Sequence, residues 1–490
     1  MSIMHKKNGY AFLLSLFSSS STLTSTLTLT LTLTLTLTTF SFASDAFASD
    51  LIIKALNDKG FDKELSSLTV LDAQTGELIA SHNIELPLNP ASCMKLVTAA
   101  AALSMLGPDY RFKTDFFADA PIKNGGIGTL YVSGTGNPLM VSEEIWRMTR
   151  NLADMGLTKI AGDLVIDDSY FDSYEVPKKS GEEHRAFSPK TSAVAANFNS
   201  VAVRIAPGAQ GGSAEVSLDP PVEYLSLVNK LKTGGKHTAN ITSSYANGIE
   251  TITVTGTIPQ NLVPRDVYRS VADPSLYAGS VIKYVLLQNG IRIDGKVRLG
   301  KVPAGATGLR SEISPPLSEV IRDMNKFSNN FIAEQVAKHL GAVRFGKPGS
   351  TAKGISAMKE YLSSAGLKAE DYLLENASGL SANTRISSLQ LAKLLAAVYR
   401  DFSIRPEFMS SLAIAGVDGT MKRWNFAGEL RGMARAKTGT LNNVSTLAGY
   451  VPTKSGRIAA FAILINGLKH GADAAHRAQM KIINAISESR

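Results

Sequence analysis

The chain changes texture twice, and that constrains its fold more than any other feature. Residues 49–113 and 310–490 carry helical periodicity with a few alternating strands. Between them, 114–309 is a series of short strand-like runs punctuated by Gly, Pro and Asn turns. The runs fall at 128–132, 162–166, 201–205, 214–218, 250–256 and 295–299, with short helices at 143–155 and 275–288. A stretch of this length cannot be a loop inside a compact domain. The expectation is one or two inserted β-rich domains at 114–309, splitting a host domain into 49–113 and 310–490.

The host reads as a mixed domain. A helix is expected at 51–59, followed by a hairpin whose strands 67–71 and 77–81 meet at the glycine turn Ala73-Gln74-Thr75-Gly76. After the insert, helices are expected at 316–340, 351–365 and 388–399, strands at 446–451 and 457–466, and a closing helix at 472–487. The late strands can join the first hairpin in one antiparallel sheet with helices on its faces, an α/β (α+β) arrangement.

Residues 1–48 stand apart. Lys6 and Lys7 precede a short apolar run at 11–17, a Thr-Leu alternation fills 27–38, and Ala43 or Ala46-Phe47-Ala48 offers small residues for cleavage. This predicts a cleaved export signal and a location in the periplasm or cell envelope. Threonine at every second position weakens the rival reading of a membrane anchor. The single cysteine, Cys93, excludes an internal disulfide, so the fold must rest on its cores. Cys93 itself reads as a packed helix residue, since His82 lies in no obvious motif with it. The balance of 51 basic and 42 acidic residues gives a net +9 that is spread along the chain. Without a dense basic run carrying interleaved aromatics, nucleic acid is not an expected partner. A mildly basic surface instead suits peripheral contact with the cell wall or a membrane face. The seven histidines show no metal-ligand spacing, and no phosphate loop occurs, so neither a metal nor another cofactor is expected.

Chemistry concentrates in three short segments. Pro90-Ala91-Ser92-Cys93-Met94-Lys95 opens an alanine-rich helix that Asn89 or Ser92 can cap. Ser92 and Lys95 share a face at the helix N-terminus, where the dipole favours negative charge. An amine takes a serine proton only when it is neutral, which burial or a nearby cation brings about. Alone, such a pair is also what an ordinary exposed helix start looks like. Ser328-Asn329-Asn330 and Lys437-Thr438-Gly439-Thr440 change its weight. Ser-x-x-Lys, Ser-x-Asn and Lys-Thr-Gly are together the motif set of penicillin-binding proteins and class A β-lactamases. In acyl transfer, Ser92 is the nucleophile, Lys95 the base and Ser328 a proton relay. Asn330 holds the substrate backbone, and Lys437 with Thr438 binds a free substrate carboxylate. Lys437 is also the second cation, and Gly439 lets the substrate strand come close. The backbone N–H groups of Ser92 and Thr440 form the oxyanion hole, worth roughly 3–4 kcal/mol per donor.

On these segments the chain resembles the class C low-molecular-mass penicillin-binding proteins, the D-alanyl-D-alanine carboxypeptidase/endopeptidase family. Ser378-Gly379-Leu380-Ser381, Arg385-Ile386-Ser387 and Gly416-Val417-Asp418-Gly419-Thr420 add to the likeness, as does the long insert. The resemblance implies a serine transpeptidase-like, β-lactamase-like host domain. It also implies peptidoglycan peptides ending in D-Ala as substrates and β-lactams as slowly released covalent inhibitors at Ser92. Two positions depart from the family: Cys93, where many relatives carry threonine or another small residue, and Asn137, where aspartate is common. Asp167, Asp168 and Tyr170 are candidates for contacting the substrate's amino end, although turn carboxylates are the plainer reading. Asp418 reads as a turn former. Two alternatives stand beside the peptidase. One is a β-lactamase, for which no convincing Glu-x-x-Asn segment is in place. The other is an idle wall-binding module, against which the intact Ser92, Lys95 and Lys437 speak.

Overall fold

The computed structural model describes residues 52–172, 190–424 and 430–489; the expected signal segment and its cleavage sites lie outside them. The host sheet has six strands in the order Ala413–Ile414, Arg435–Leu441, Val444–Pro452, Ile458–Asn466, Ser66–Asp72 and Leu78–His82, all neighbours antiparallel. The late hairpin does pair with the first one: Ser66 faces Ile465 and Asp72 faces Ala459. Strand Val444–Pro452 is buried from Val444 to Val451, because both faces of the sheet are covered. Successive side chains still alternate between the faces. Ala460, Ala462 and Leu464 belong to the core shared with the nucleophile helix, Met94–Leu106. Phe461, Ile463 and Ile465 belong to the other, with Ile482, Ile483 and Ile486 of the closing helix Asp473–Glu488.

The nucleophile helix is buried at every position from Met94 to Leu103. A helix apolar all round belongs in the middle of a fold. Its alanines let Leu317–Lys326, Asn330–Phe345 and Thr351–Ser364 pack against it. The run expected as one helix over 316–340 is two. Ser328 takes a left-handed φ of 56°, and the Asn329 carboxamide accepts from Ile332 N at 3.1 Å to start the second helix. Apolar periodicity continues across such a break, so it hid the turn. The first expected helix is shorter than 51–59: residues 52–55 are helical, and Phe61 bridges to Leu468.

The middle of the chain has its own core, drawn from Phe116 through Ile293. A five-stranded sheet runs Val297–Leu299, Leu164–Asp167, Leu130–Gly134, Lys113–Ala118, Thr307–Ile313. Two three-stranded sheets and a small parallel one accompany it. Entry and exit strands pair with each other, Lys113 opposite Ile313, so the 309/310 division falls inside a strand. Among the described residues no helix is long and apolar enough to cross a membrane.

Candidate active site

Ala91–Cys93 forms a single 3-10 turn that leads into the nucleophile helix. No side chain caps that helix, which corrects the expectation for Ser92 and Asn89. Asn89 instead braces the preceding turn. Its Oδ1 accepts from Ala91 N at 2.8 Å, and its Nδ2 donates to the Ser381 and Ala382 carbonyls at 3.0 and 3.1 Å. Ala91 is held at a left-handed φ of 45°, a conformation costly for a residue with a Cβ and common at functional sites. The Ser92 hydroxyl is therefore not used as a cap. It lies 3.0 Å from Lys95 Nζ.

Lys95 is fully buried, and its Nζ also reaches Asn330 Oδ1 at 2.6 Å and the Ser378 carbonyl at 2.7 Å. Burial pushes its pKa far down and the Lys437 charge pushes it further; Glu334 and Cys93 pull the other way. A neutral amine has two N–H donors and one lone pair. Asn330 Oδ1 and Ser378 O are acceptors only, so they take the two N–H groups. The Ser92 hydroxyl stands at the third position of the nitrogen, where it accepts from an ammonium or donates to a neutral amine. Asn330 thus spends the carbonyl end of its side chain on the base.

Lys437 is also fully buried, on the strand beside the nucleophile turn. Its Nζ donates to Ser328 Oγ at 2.8 Å and to the Thr438 carbonyl at 2.6 Å. Burial lowers its pKa to about 8, against a smaller opposing effect of Cys93. Burial lowers Lys437, whereas burial and the Lys437 charge together lower Lys95. Ser328 is bonded to Lys437 rather than to Lys95. Thr438 Oγ1 donates to Thr420 Oγ1 at 2.7 Å.

Gly439 also has a use within the fold. A Cβ there would stand 2.3 Å from Thr446 Oγ1 and 2.8 Å from Ser92 N, so the missing side chain lets the strand lie against the nucleophile turn. Cys93 ties the same seam: its thiol donates to the Lys437 carbonyl at 3.2 Å and accepts from Thr446 Oγ1 at 3.2 Å. Burial raises the Cys93 pKa, which suits a packed thiol. Thr440, one residue on, is exposed.

The remaining candidates serve the scaffold. Asp418 accepts from Ile414 N at 2.8 Å and pairs with Lys326 at 2.5 Å, as a turn former should. Asp167 bonds Ser169 and Val302 N. Asp168, raised to about 6 by burial, accepts from Ala193 N at 2.5 Å. Tyr170 stacks on His339 with centroids 5.6 Å apart. Burial drives His339 down to about 4, and its Nδ1 lies 2.8 Å from the Thr135 carbonyl. Asn137 is buried and accepts from Leu139 N at 3.0 Å within its own turn.

The model of the D-Ala-D-Ala carboxypeptidase 3 (S13) family matches residues 49–487. The chain belongs to this family. It is 34% identical over 430 residues to a D-alanyl-D-alanine carboxypeptidase of an Actinomadura species, covering 84% of this chain and 79% of the relative. Another relative, a D-alanyl-D-alanine carboxypeptidase of Haemophilus influenzae, is 27% identical, with 81% and 84% covered. The crystal structure of penicillin binding protein 4 from the same organism superposes with a TM-score of 0.77 at 24% identity, covering 90% of this chain and 99% of that one. A predatory peptidoglycan endopeptidase from Bdellovibrio bacteriovorus shares the fold more distantly, with a TM-score of 0.52 at 18% identity, covering 86% and 92%.

Three groups of this S13 site escaped the sequence reading: the Ser378 carbonyl, Glu334 and the Thr420 hydroxyl. Glu334 stands four residues after Asn330 and so shares its helix face, a signal that was available. Ser378 acts through its backbone, which no side-chain pattern reveals.

Proposed function

We propose that this S13 enzyme removes the terminal D-alanine from peptidoglycan peptides, or cuts D-alanyl cross-links, through an acyl-enzyme on Ser92. The reading rests on one observation: Lys95 is buried with two obligate acceptors and the Ser92 hydroxyl around its nitrogen. Ser92 gives its proton to Lys95 as its Oγ attacks the carbonyl before the last residue. The Ser92 and Thr440 N–H groups receive the oxyanion. The two-residue turn after Leu441 supports this use of Thr440. Hydrogen-bonded pairs alternate from the Leu441–Val444 pair that closes the hairpin, so Thr440 N–H is directed away from the neighbouring strand. Strand Ala413–Ile414 pairs only with Ala436 and Arg435, so among the described residues the edge from Lys437 onward is open to an extended substrate.

The Lys437 ammonium and the Thr438 hydroxyl bind the substrate's terminal carboxylate, which favours cleavage at a C-terminus. The leaving nitrogen takes its proton from the Ser328 hydroxyl, which turns from Lys437 to take the Lys95 proton in exchange, and D-alanine departs as the acyl-serine forms. Water, activated by Lys95, then releases the shortened peptide and restores Ser92. In a β-lactam the leaving nitrogen stays tethered to the acyl group and blocks the approach of water, so the adduct persists. The same reading takes 1–48 as an export signal, 114–309 as the insert in the host domain, and the cell envelope as the place of action.

The deciding experiment is intact-protein mass spectrometry after penicillin, with peptide mapping, beside an assay of D-alanine release from a synthetic pentapeptide. The expected result is one stable adduct on Ser92 and free D-alanine. Rapid nitrocefin turnover without a stable adduct would instead mark a β-lactamase, and binding without release an idle module.

A further inference from the structure

Glu334 is a buried carboxylate that the acyl-transfer scheme above does not use. It sits one helical turn beyond Asn330, on the helix that starts at the Ser328 turn. Its Oε1 accepts from Ser378 N at 2.9 Å and its Oε2 from Ala377 N at 3.4 Å. The turn it holds is fixed at other points as well. Thr98 Oγ1 donates to the Ala377 carbonyl at 2.8 Å, and Asn376 Oδ1 accepts from Gly379 N at 3.1 Å. Gly379 has a left-handed φ of 78°, and a Cβ on it would stand 1.8 Å from the carbonyl oxygen of Ala91, the residue before the nucleophile. One turn therefore lies against both the base and the nucleophile.

We propose that Glu334 is a positioning residue for acylation: it holds the Ala377-Ser378 backbone so that the Ser378 carbonyl takes one of the two N–H groups of neutral Lys95. This rests on the reading of Lys95 as the base. The geometry supplies the reason for a carboxylate here. Two backbone N–H groups pointing into a buried space need an acceptor, and a carboxylate satisfies both. Once they are fixed, the Ser378 carbonyl is directed at Lys95, and the lone pair of Lys95 is left toward Ser92. The charge has a second effect. Lys95 is faced by Ser92 and Cys93 from its own segment, by Asn330 and Glu334 from the next helix, by Ser378 from the turn, and by Lys437 from the strand. Glu334 is the carboxylate of that set. It offsets part of the push from Lys437 and keeps the amine basic enough to accept a proton.

The test compares Glu334→Ala and Glu334→Gln, measuring penicillin acylation across pH and separating the acylation rate constant from initial affinity. In the alanine variant the acylation rate constant should fall about tenfold or more while initial affinity changes little. The glutamine variant keeps an acceptor for Ser378 N but loses the charge. It should recover most of the plateau rate, with its acid limb moved to lower pH because Lys95 then loses its proton more easily. A folded alanine variant that acylates at the parental rate overturns the inference, and so does a glutamine variant whose acid limb stays in place. Thermal melting of both checks folding, and the acid limb of the glutamine variant decides the matter if the alanine variant does not fold. If the parental protein forms no adduct on Ser92, the reading of Lys95 fails first. If the parent labels and the variants behave like it, only the role of Glu334 falls.

Discussion

Lys95 and Lys437 are both fully buried, yet the proposed reaction uses them in opposite protonation states. Burial pushes both pKa values down, and two ammonium groups so placed repel each other, so one yields its proton. Their neighbours differ. Around Lys95 stand two groups that can only accept and one hydroxyl that can accept or donate. Lys437 has the Ser328 hydroxyl and the Thr438 carbonyl, and it keeps its charge up to about pH 8. Burial alone therefore does not make a base. The Lys437 charge, acting beside burial, lowers Lys95 further.

Ser92→Ala tests whether the comparison concerns catalysis at all. It should leave the mass unchanged after penicillin and reduce D-alanine release on the order of 10⁶-fold, the scale seen when a serine hydrolase loses its nucleophile. The two lysines should then fail differently. Lys95→Met should lower acylation by about 10²–10⁴-fold, as expected for loss of a general base. Lys437→Met should raise KM for carboxylate-ended peptides and move the acid limb to higher pH, because Lys95 then loses its cationic neighbour. Similar pH profiles in the two variants would erase the distinction. In the parent, a basic limb near pH 8 should follow the loss of the Lys437 proton. Substrate binding needs the ammonium, so activity falls as pH rises through that value.

Gly439→Ala would push the strand off the nucleophile turn, at a cost of about 1–3 kcal/mol in stability and with loss of acylation. Normal labelling in a stable variant would show that the seam tolerates movement. The smallest effect belongs to the wall that holds Lys437. Thr420→Val removes the partner of Thr438 and should lower kcat/KM about fivefold, chiefly through KM, with Thr420→Ser near the parent.

Much of this was legible in the chain itself. The host hairpins and the closing helix follow from periodicity, because local pattern reports which face a residue must bury; the three motifs are legible through their likeness to the penicillin-binding protein set. The turn at Ser328 did not show, since apolar spacing runs through it and only a left-handed φ marks the break. The packing use of Gly439 is not legible for a related reason: Ser92 N, which a Cβ there would crowd, is far away in sequence. Asp418 is legible as a turn former because the backbone it holds, Ile414 N, is four residues away; its ion pair with Lys326, 92 residues away, is not.

The sequence determined which residue types are present, their order, and the helix and strands that carry them, because those depend on near neighbours along the chain. Only the tertiary structure decided how far each lysine's pKa is lowered. Asn330 and Glu334, the Ser378 carbonyl, and Lys437 come from separate segments and meet at Lys95 only after the cores have closed.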